Sequence, residues 1–356
     1  MNYTLAHLDE SLHFGSLTAS GFEKILRAKY PNAKFVILTD ENVGPQWSEF
    51  LVTNFEVLKN AEIIEIPAGE ENKSLEICKS VWEALSEYEI SRNDVIINVG
   101  GGMICDLGGF VASTFKRGLC FVNIPTSLLA QVDASVGGKT GIDLGPYKNQ
   151  VGLFVQADAV FFDPMFLSTL PLEQLKSGFS EMLKHGLIAD AAYWRELVAL
   201  NLSDTAALLP LVQRSVLIKQ HIVEQDYHET GLRKNLNFGH TIGHAIEGYF
   251  LEKGKPLLHG YAVGLGMIAE SYMSSKKNLL SDVEFKEIEA VCKKYFGEAL
   301  TEKPDFDVLL QLMLNDKKNA GGKINFSLLN RIGKCFYNQQ VEKELILEGL
   351  EYLYKV

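Results

Sequence analysis

Three short motifs carry side chains able to do chemistry together. "NFGHTIGHAIE" holds His240 and His244 four residues apart, a spacing that puts both on one face of a helix. "SGFSEMLKHGLI" contributes Glu181, Lys184 and His185, and "LLHGYAVGLGM" contributes His259. Imidazole nitrogens and carboxylate oxygens are zinc ligands, and a catalytic zinc takes three from the protein and keeps a position for water or substrate. His240 with His244 is one candidate set. Glu181 with His240 and His259 is another, and spacing does not separate them. Taken singly, each histidine reads more simply as a hydrogen-bonded core residue. Three glycine-flanked motifs in one region favour a site. The HxxxH pair lacks the glutamate of HExxH, which excludes a metalloprotease of that type.

Cations are placed among glycines. In "PTSLLAQVDASVGGKTGIDLGPYKNQVG" (125–152), Asp133, Lys139, Lys148 and Asn149 sit in a glycine-rich turn. Lysine gives mobile donors and glycine lets them converge, which suits a small multiply charged anion. The alternative is a polar surface loop. "GLRKNLN" adds Arg233 and Asn237, which with His240 and His244 read as one helical face. Lys219 in "VLIKQ", and Lys317 and Lys318 in "NDKKNAGG", are further candidates, each alternatively a solvated charge.

A second kind of site is written in "INVGGGMICDLGGF". Gly100, Gly101 and Gly102 end an apolar run and open a helical one. Glycine permits close backbone approach, and the N–H groups of a helix N-terminus suit a pyrophosphate. The GxGxxG spacing is not met, because Cys105 stands at the third glycine position. "LTDENV" offers Asp40 and Asn42, and "PAGEENKS" offers Glu70 and Lys73, at two more strand ends. They could accept from ribose hydroxyls, or Asp40 and Ser74 could simply cap helices.

These residues need a scaffold, and the chain predicts one. Residues 34–40, 62–67, 94–100 and 120–126 are short branched apolar runs, read as buried parallel strands. Residues 74–88 and 103–115 between them have helical spacing. This alternation predicts an α/β fold with a Rossmann-like, mostly parallel sheet. From about residue 171 long amphipathic helices dominate, with a late extended pair (323–338) and a closing helix. The expected domains are 1–170, an α/β domain, and 171–356, mainly α-helical.

Composition narrows the class. The 356 residues carry a net charge of −11 and are 47% apolar. No basic stripe points to nucleic acid. No long apolar run suggests a membrane span, and the first residues lack the pattern of a secretory leader. Five scattered cysteines without a CxxC pair argue against disulfides and a thiolate zinc site, and for the cytoplasm.

"GGGMICD", "PTSLLAQVDASVGGKTGID", "YKNQVG", "SGFSEMLKHGLI", "GLRKNLNFGHTIGHAIE" and "DKK...GKI" together resemble the sugar-phosphate cyclases, and among them the 3-dehydroquinate synthase family. The resemblance runs nearly end to end. It implies a divalent metal, zinc with cobalt as the alternative, on Glu181, His240 and His259. His244 then faces the substrate's reacting end instead of ligating. It implies that Asp133, Lys139, Asn149, Lys184, Lys219, Arg233, Asn237 and one or both of Lys317 and Lys318 contact the substrate. Arg117 matches an arginine lent across a homodimer interface. The NAD side is implied to be Asp40, Asn42, Glu70, Lys73, the turn Gly101–Asp106 with Gly102, Thr126, Ser127, Lys148 and Thr169, with Lys139 near both ligands. The implied reaction converts 3-deoxy-D-arabino-heptulosonate 7-phosphate, a small anionic sugar-acid phosphate, to 3-dehydroquinate and phosphate. It runs by transient oxidation at C5, elimination, re-reduction and aldol closure. Tyr261 departs from the family's "LHGEAV" pattern, beside His259.

Overall fold

The computed structural model of the chain describes residues 10–145, 147–202, 204, 207–315 and 324–355. The chain divides into two compact units. One runs up to Leu170 and takes in the start of a long helix as far as Leu217; the other comprises Pro171 to Asp204 and the chain from Ile218 onward.

The first unit is built on a six-stranded sheet. Its strands are β1 (Leu12–Phe14), β2 (Phe35–Asp40), β3 (Glu62–Ile66), β4 (Val95–Gly100), β5 (Cys120–Pro125) and, after an intervening hairpin, β8 (Ala159–Phe162). They lie in the order β1-β8-β5-β4-β2-β3, and every pairing is parallel. Alternate side chains go to opposite faces. Val36, Leu38 and Ile96 join a core with α3 (Leu75–Glu87) and α4 (Gly102–Thr114). Phe35, Ile37, Val95 and Ile97 join another with α1 (Phe22–Lys29) and α2 (Gly44–Asn54). Burial on both faces is why β2 and β4 read as unbroken apolar runs. The expected doubly wound sheet is therefore present.

The segment 125–152 is not one turn, as its glycines suggested. It contains a π-helical turn, Ala130–Ala134, and then an antiparallel hairpin of β6 (Lys139–Leu144) and β7 (Tyr147–Phe154). Gly141 faces Gly152 across the hairpin. A Cβ on Gly109 of α4 would lie 2.5 Å from Thr140 Cγ2, so the hairpin rests directly on that helix. The glycines serve close packing of backbone here.

The second unit holds α5 (Leu172–Ala189), α6 (Ala191–Ala199), α8 (His240–Glu252), α9 (His259–Lys276), α10 (Asp282–Phe296), α11 (Phe306–Asn315) and α12 (Lys343–Tyr354). The long helix α7 (Leu208–Gln225) begins in the first unit and ends in this one. A hairpin of β9 (Asn325–Arg331) and β10 (Lys334–Gln340) completes it. Helix α9 is buried nearly all round, from Gly260 to Ser274, which marks it as the central helix of the unit. No helix among the described residues is long and apolar enough to cross a membrane.

One local expectation fails with a clear cause. The stretch from Arg233 to His244 is not a continuous helix. A 3-10 turn, Leu232–Asn237, ends before Phe238, and α8 starts afresh at His240. Gly239 between them has φ 78°, a left-handed conformation that breaks the helix. A Cβ there would also meet Met267 Cγ at 2.6 Å. Arg233 and Asn237 therefore do not share the face of His240 and His244.

Candidate active site

Glycine contacts bring α5, α8 and α9 together. Gly260 packs on Ser177, where an added Cβ would sit 2.0 Å from the Ser177 carbonyl oxygen, and its N–H donates to Ser177 Oγ at 3.0 Å. Ser177 and Glu181 lie one turn apart on α5, while Gly260 follows His259. That contact therefore sets His259 beside Glu181. Gly266 of α9 approaches the start of α8 equally closely, with a virtual Cβ 2.0 Å from the Gly239 carbonyl oxygen. His240 and His259 are each the first residue of their helices.

The result is a compact set of donor atoms. Glu181 is fully buried, and its Oε1 accepts no hydrogen bond among the described residues. That oxygen lies 3.5 Å from His240 Nε2 and 3.9 Å from His259 Nε2. The other oxygen, Oε2, accepts from the Lys184 ammonium. His240 Nδ1 lies 3.1 Å from the Phe238 carbonyl oxygen. A carbonyl can only accept, so Nδ1 donates, and the neutral ring carries its lone pair on Nε2. His259 Nδ1 lies 3.2 Å from Glu247 Oε2, which orients the second ring in the same way. Metal-bound histidines are held by such bonds from the far ring nitrogen. A buried carboxylate oxygen without a partner is costly, by about 1–3 kcal/mol or more when charged. A cation among these atoms would remove that cost, so the donor set fits a divalent metal. His244 is close by: the ligand atoms of His240, His244 and His259 all lie within 4.8 Å of one another.

Two of the candidate cations have defined places. Lys219 on α7 and Arg233 are buried, and the Arg233 guanidinium donates to the Tyr227 carbonyl at 2.6 Å. Asn237 Nδ2 donates to Glu229 Oε1 at 2.7 Å. The turn carrying Arg233 is organised by Asp226, which accepts from the N–H groups of Thr230, Gly231 and Arg233 at 2.7–3.0 Å. Burial works to raise the Asp226 pKa, but the amides of Gly231, Thr230 and Arg233 outweigh it and hold it down to about 2. Lys317 and Lys318 lie outside the described residues.

Tyr261, the departure beside His259, points its chemistry elsewhere. Its hydroxyl lies 3.0 Å from Glu298 Oε1 and its ring packs on Phe296. The carboxylate that serves His259 is Glu247, the last residue of "NFGHTIGHAIE", which the sequence does not mark for this role. Its position seven residues after His240, on the same face of α8, was the available signal.

In the sheet unit, Gly101 caps α4 and Gly102 opens it. The strand order reverses between β2 and β4, and the glycine turn leaves β4 at that point, where open α/β sheets bind ligands. Thr126 N–H donates to the Gly100 carbonyl at 2.9 Å, which brings Thr126 and Ser127 beside the turn. Asp40 Oδ1 accepts from the Asn42 and Val43 amides at 3.0 and 3.2 Å, closing the turn after β2. Burial raises the Asp40 pKa against those bonds. Lys73 is buried, and its ammonium joins Asn149 Oδ1 at 2.6 Å, Asp106 Oδ2 at 2.7 Å and Glu70 Oε1 at 3.4 Å. Burial alone would lower the Lys73 pKa, but Asp106 and Glu70 hold it above the ordinary lysine value. Asn149 is itself left-handed, with φ 53°. Four residues from three separate motifs thus form one cluster tying β7 to α4. Lys139 begins β6, Thr169 ends the 3-10 turn Pro164–Thr169, and Asp133 lies in the π-helical turn. Arg117 is exposed on a tight turn where Lys116 and Arg117 have φ 48° and 70°.

Two family profiles match successive parts of the chain. Residues 63–177 match the profile of the 3-dehydroquinate synthase N-terminal domain, and 178–319 that of the C-terminal domain. A 3-dehydroquinate synthase of Parabacteroides distasonis is 43% identical, over 90% of this chain and 91% of its own. That of Clostridium acetobutylicum is 37% identical, over 88% and 89%. Among solved structures, 2-epi-5-epi-valiolone synthase from Streptomyces hygroscopicus, with NAD+ and Zn2+ bound, aligns with a TM-score of 0.85 at 26% identity, covering 98% of each chain. A 2-deoxy-scyllo-inosose synthase complexed with carbaglucose-6-phosphate, NAD+ and Co2+ shares the fold, with a TM-score of 0.83 at 23% identity over 96% of each chain.

Proposed function

Because the chain belongs to the 3-dehydroquinate synthase family, we propose that it converts 3-deoxy-D-arabino-heptulosonate 7-phosphate to 3-dehydroquinate and phosphate. The reaction is a phosphate-eliminating carbon–oxygen lyase step with transient oxidation at C5, re-reduction and intramolecular aldol closure, and it serves the shikimate route to aromatic amino acids. The observation that carries this reading is the bare Oε1 of buried Glu181 facing Nε2 of His240 and His259. Glu181, His240 and His259 would hold the divalent metal, which when bound polarises the substrate's hydroxyl oxygens as a Lewis acid. The glycine turn of α4, with Asp40, Asn42, Thr126, Ser127 and Thr169, would hold NAD+, which takes up and returns a hydride.

The chain's own residues do the remaining work. Lys184 neutralises Glu181 Oε2 and keeps the carboxylate in one orientation. Lys219 and Arg233 supply buried positive charge for an anionic substrate, and Asn237 a polar contact. Cations fixed in advance stabilise a departing phosphate more than mobile surface charges do. His244, with its ring centroid 5.1 Å from that of His240, would move a proton at the reacting end. Lys139, Lys148, Asn149 and Asp133 are proposed as further substrate or cofactor contacts.

We infer a homodimer in which Arg117 serves the partner copy. Its exposure on a strained turn supports this, as do the exposed apolar side chains Leu144, Val151, Leu153 and Phe154 along the β6–β7 hairpin. Five free cysteines fit a cytoplasmic location. Light scattering tests the first inference and fractionation of cells the second.

The purified protein, supplied with NAD+ and Zn2+ or Co2+, should release phosphate from the heptulosonate phosphate without accumulating NADH. Stoichiometric NADH would mark a polyol dehydrogenase instead. Faster turnover of a heptulose or glucose phosphate lacking the carboxylate would mark a sister cyclase. Glu181→Ala should abolish metal content.

A further inference from the structure

Helix α8 begins without a capping side chain of its own, because its N-cap is Gly239. The cap comes from another helix. Glu270, fully buried on α9, accepts from the Gly239 N–H through Oε2 at 2.7 Å and from the Ile242 N–H through Oε1 at 3.2 Å. The two bonds straddle His240. A buried carboxylate is costly unless it is satisfied, and the amides at a helix N-terminus are suited to do so. We propose that Glu270 is a positioning residue for the metal centre: it locks the first turn of α8 and so fixes the direction of His240 Nε2. The proposal rests on the metal reading above.

The chain of contacts is short. Glu270 holds Gly239 in its left-handed conformation. Gly239 follows Phe238, whose carbonyl takes the His240 Nδ1–H. Nε2 then faces Glu181 Oε1 at 3.5 Å. Release of the Gly239 amide would let that turn relax and the ring swing. Ligand sets tolerate errors of only about 0.5 Å. Glu270 also stands on the helix that opens with His259, about three turns along. One carboxylate therefore braces the two helices that carry histidine ligands. A simple helix cap would stabilise the fold and leave metal affinity untouched, and this is the distinction to measure.

The test is Co2+ titration of the full-length wild type, Glu270→Gln and Glu181→Ala, followed by visible absorption, with Zn2+ affinity from competition with a chromophoric chelator. Glu270→Gln should retain the wild-type far-ultraviolet circular dichroism, bind either ion about tenfold more weakly or worse, and shift the Co2+ bands. A folded Glu270→Gln protein with wild-type affinity and bands overturns the inference and leaves the metal reading standing. A wild type that takes up no Co2+, or a Glu181→Ala protein that binds as the wild type does, overturns both. If Glu270→Gln does not fold, Glu270→Asp, one carbon shorter with the charge kept, is read by the same criteria. Failure of both variants to fold would assign Glu270 to stability alone and overturn the positioning role.

Discussion

Glu247 Oε2 lies 3.2 Å from Nδ1 of His259, a residue on a different helix. The carboxylate fixes the ring so that Nε2 faces Glu181, and it raises the basicity of the nitrogen that would bind metal. Glu247→Ala should therefore weaken metal binding by roughly 10–100-fold while the protein stays folded. Dialysis against a metal buffer with elemental analysis reads this directly; metal retention equal to the wild type would remove Glu247 from the centre.

Gly260 gives a test by sign. Replacing a helical glycine with alanine ordinarily stabilises, by about 0.5–1 kcal/mol. At Gly260 the new methyl would lie 2.0 Å from the Ser177 carbonyl oxygen. Gly260→Ala should instead destabilise by about 1–3 kcal/mol, the usual range for overpacking. It should also loosen metal binding, because α5 and α9 carry Glu181 and His259. Urea denaturation of the metal-free protein separates the two effects. A stabilised Gly260→Ala protein would mean that the contact between these helices is not tight.

Lys73 should prove structural as well as functional. Lys73→Met strips a buried ammonium from Asp106, Asn149 and Glu70. Removing one partner of a buried pair costs about 3–5 kcal/mol. Equilibrium unfolding should register that loss, and calorimetry a weaker affinity for NAD+, since Asp106 lies on the helix that the glycine turn opens. A neutral effect on stability would show the cluster to be water-exposed in solution.

Asp226 sets a pH signature. Its folded pKa is depressed to about 2, below the unfolded carboxylate value of about 3.9. A depressed carboxylate contributes stability that is fully present above its unfolded pKa and is lost as pH falls through the folded one. Asp226→Asn should therefore be less stable than the wild type at neutral pH, and the gap should close between about pH 4 and pH 2. Thermal melts of both proteins across that range decide it; a gap independent of pH would show that charge is not what organises the Arg233 turn.

Metal removal should act on the fold itself. An ion that binds the folded state at one hundred times its dissociation constant adds about 2.7 kcal/mol. Chelation should lower the melting temperature of the wild type, and restored Zn2+ should recover it. Glu181→Ala should melt at one temperature with or without Zn2+. A wild type indifferent to chelator would argue that the Glu181 oxygen is satisfied in some other way.

The sequence by itself determined four of the six strands of the sheet, most plainly 35–40 and 95–100, because burial on both faces requires unbroken apolar runs. It determined the glycine turn at 100–102 and the types of residue that could ligate a metal, because both are local chemistry. Local pattern does not give the elements at 125–152 and 233–244, where Gly152 packs on the Thr140 carbonyl and Gly239 on Met267. Only the tertiary structure decided how Glu181, His240 and His259 face one another. They lie on separate helices, and their distances depend on side-chain-free contacts at Gly239, Gly260 and Gly266 that no local periodicity encodes. The partners Glu247 and Glu270 were hidden for the same reason. A carboxylate in an apolar helix is visible in the sequence, but the atom that satisfies it is found only when a second helix is packed against the first.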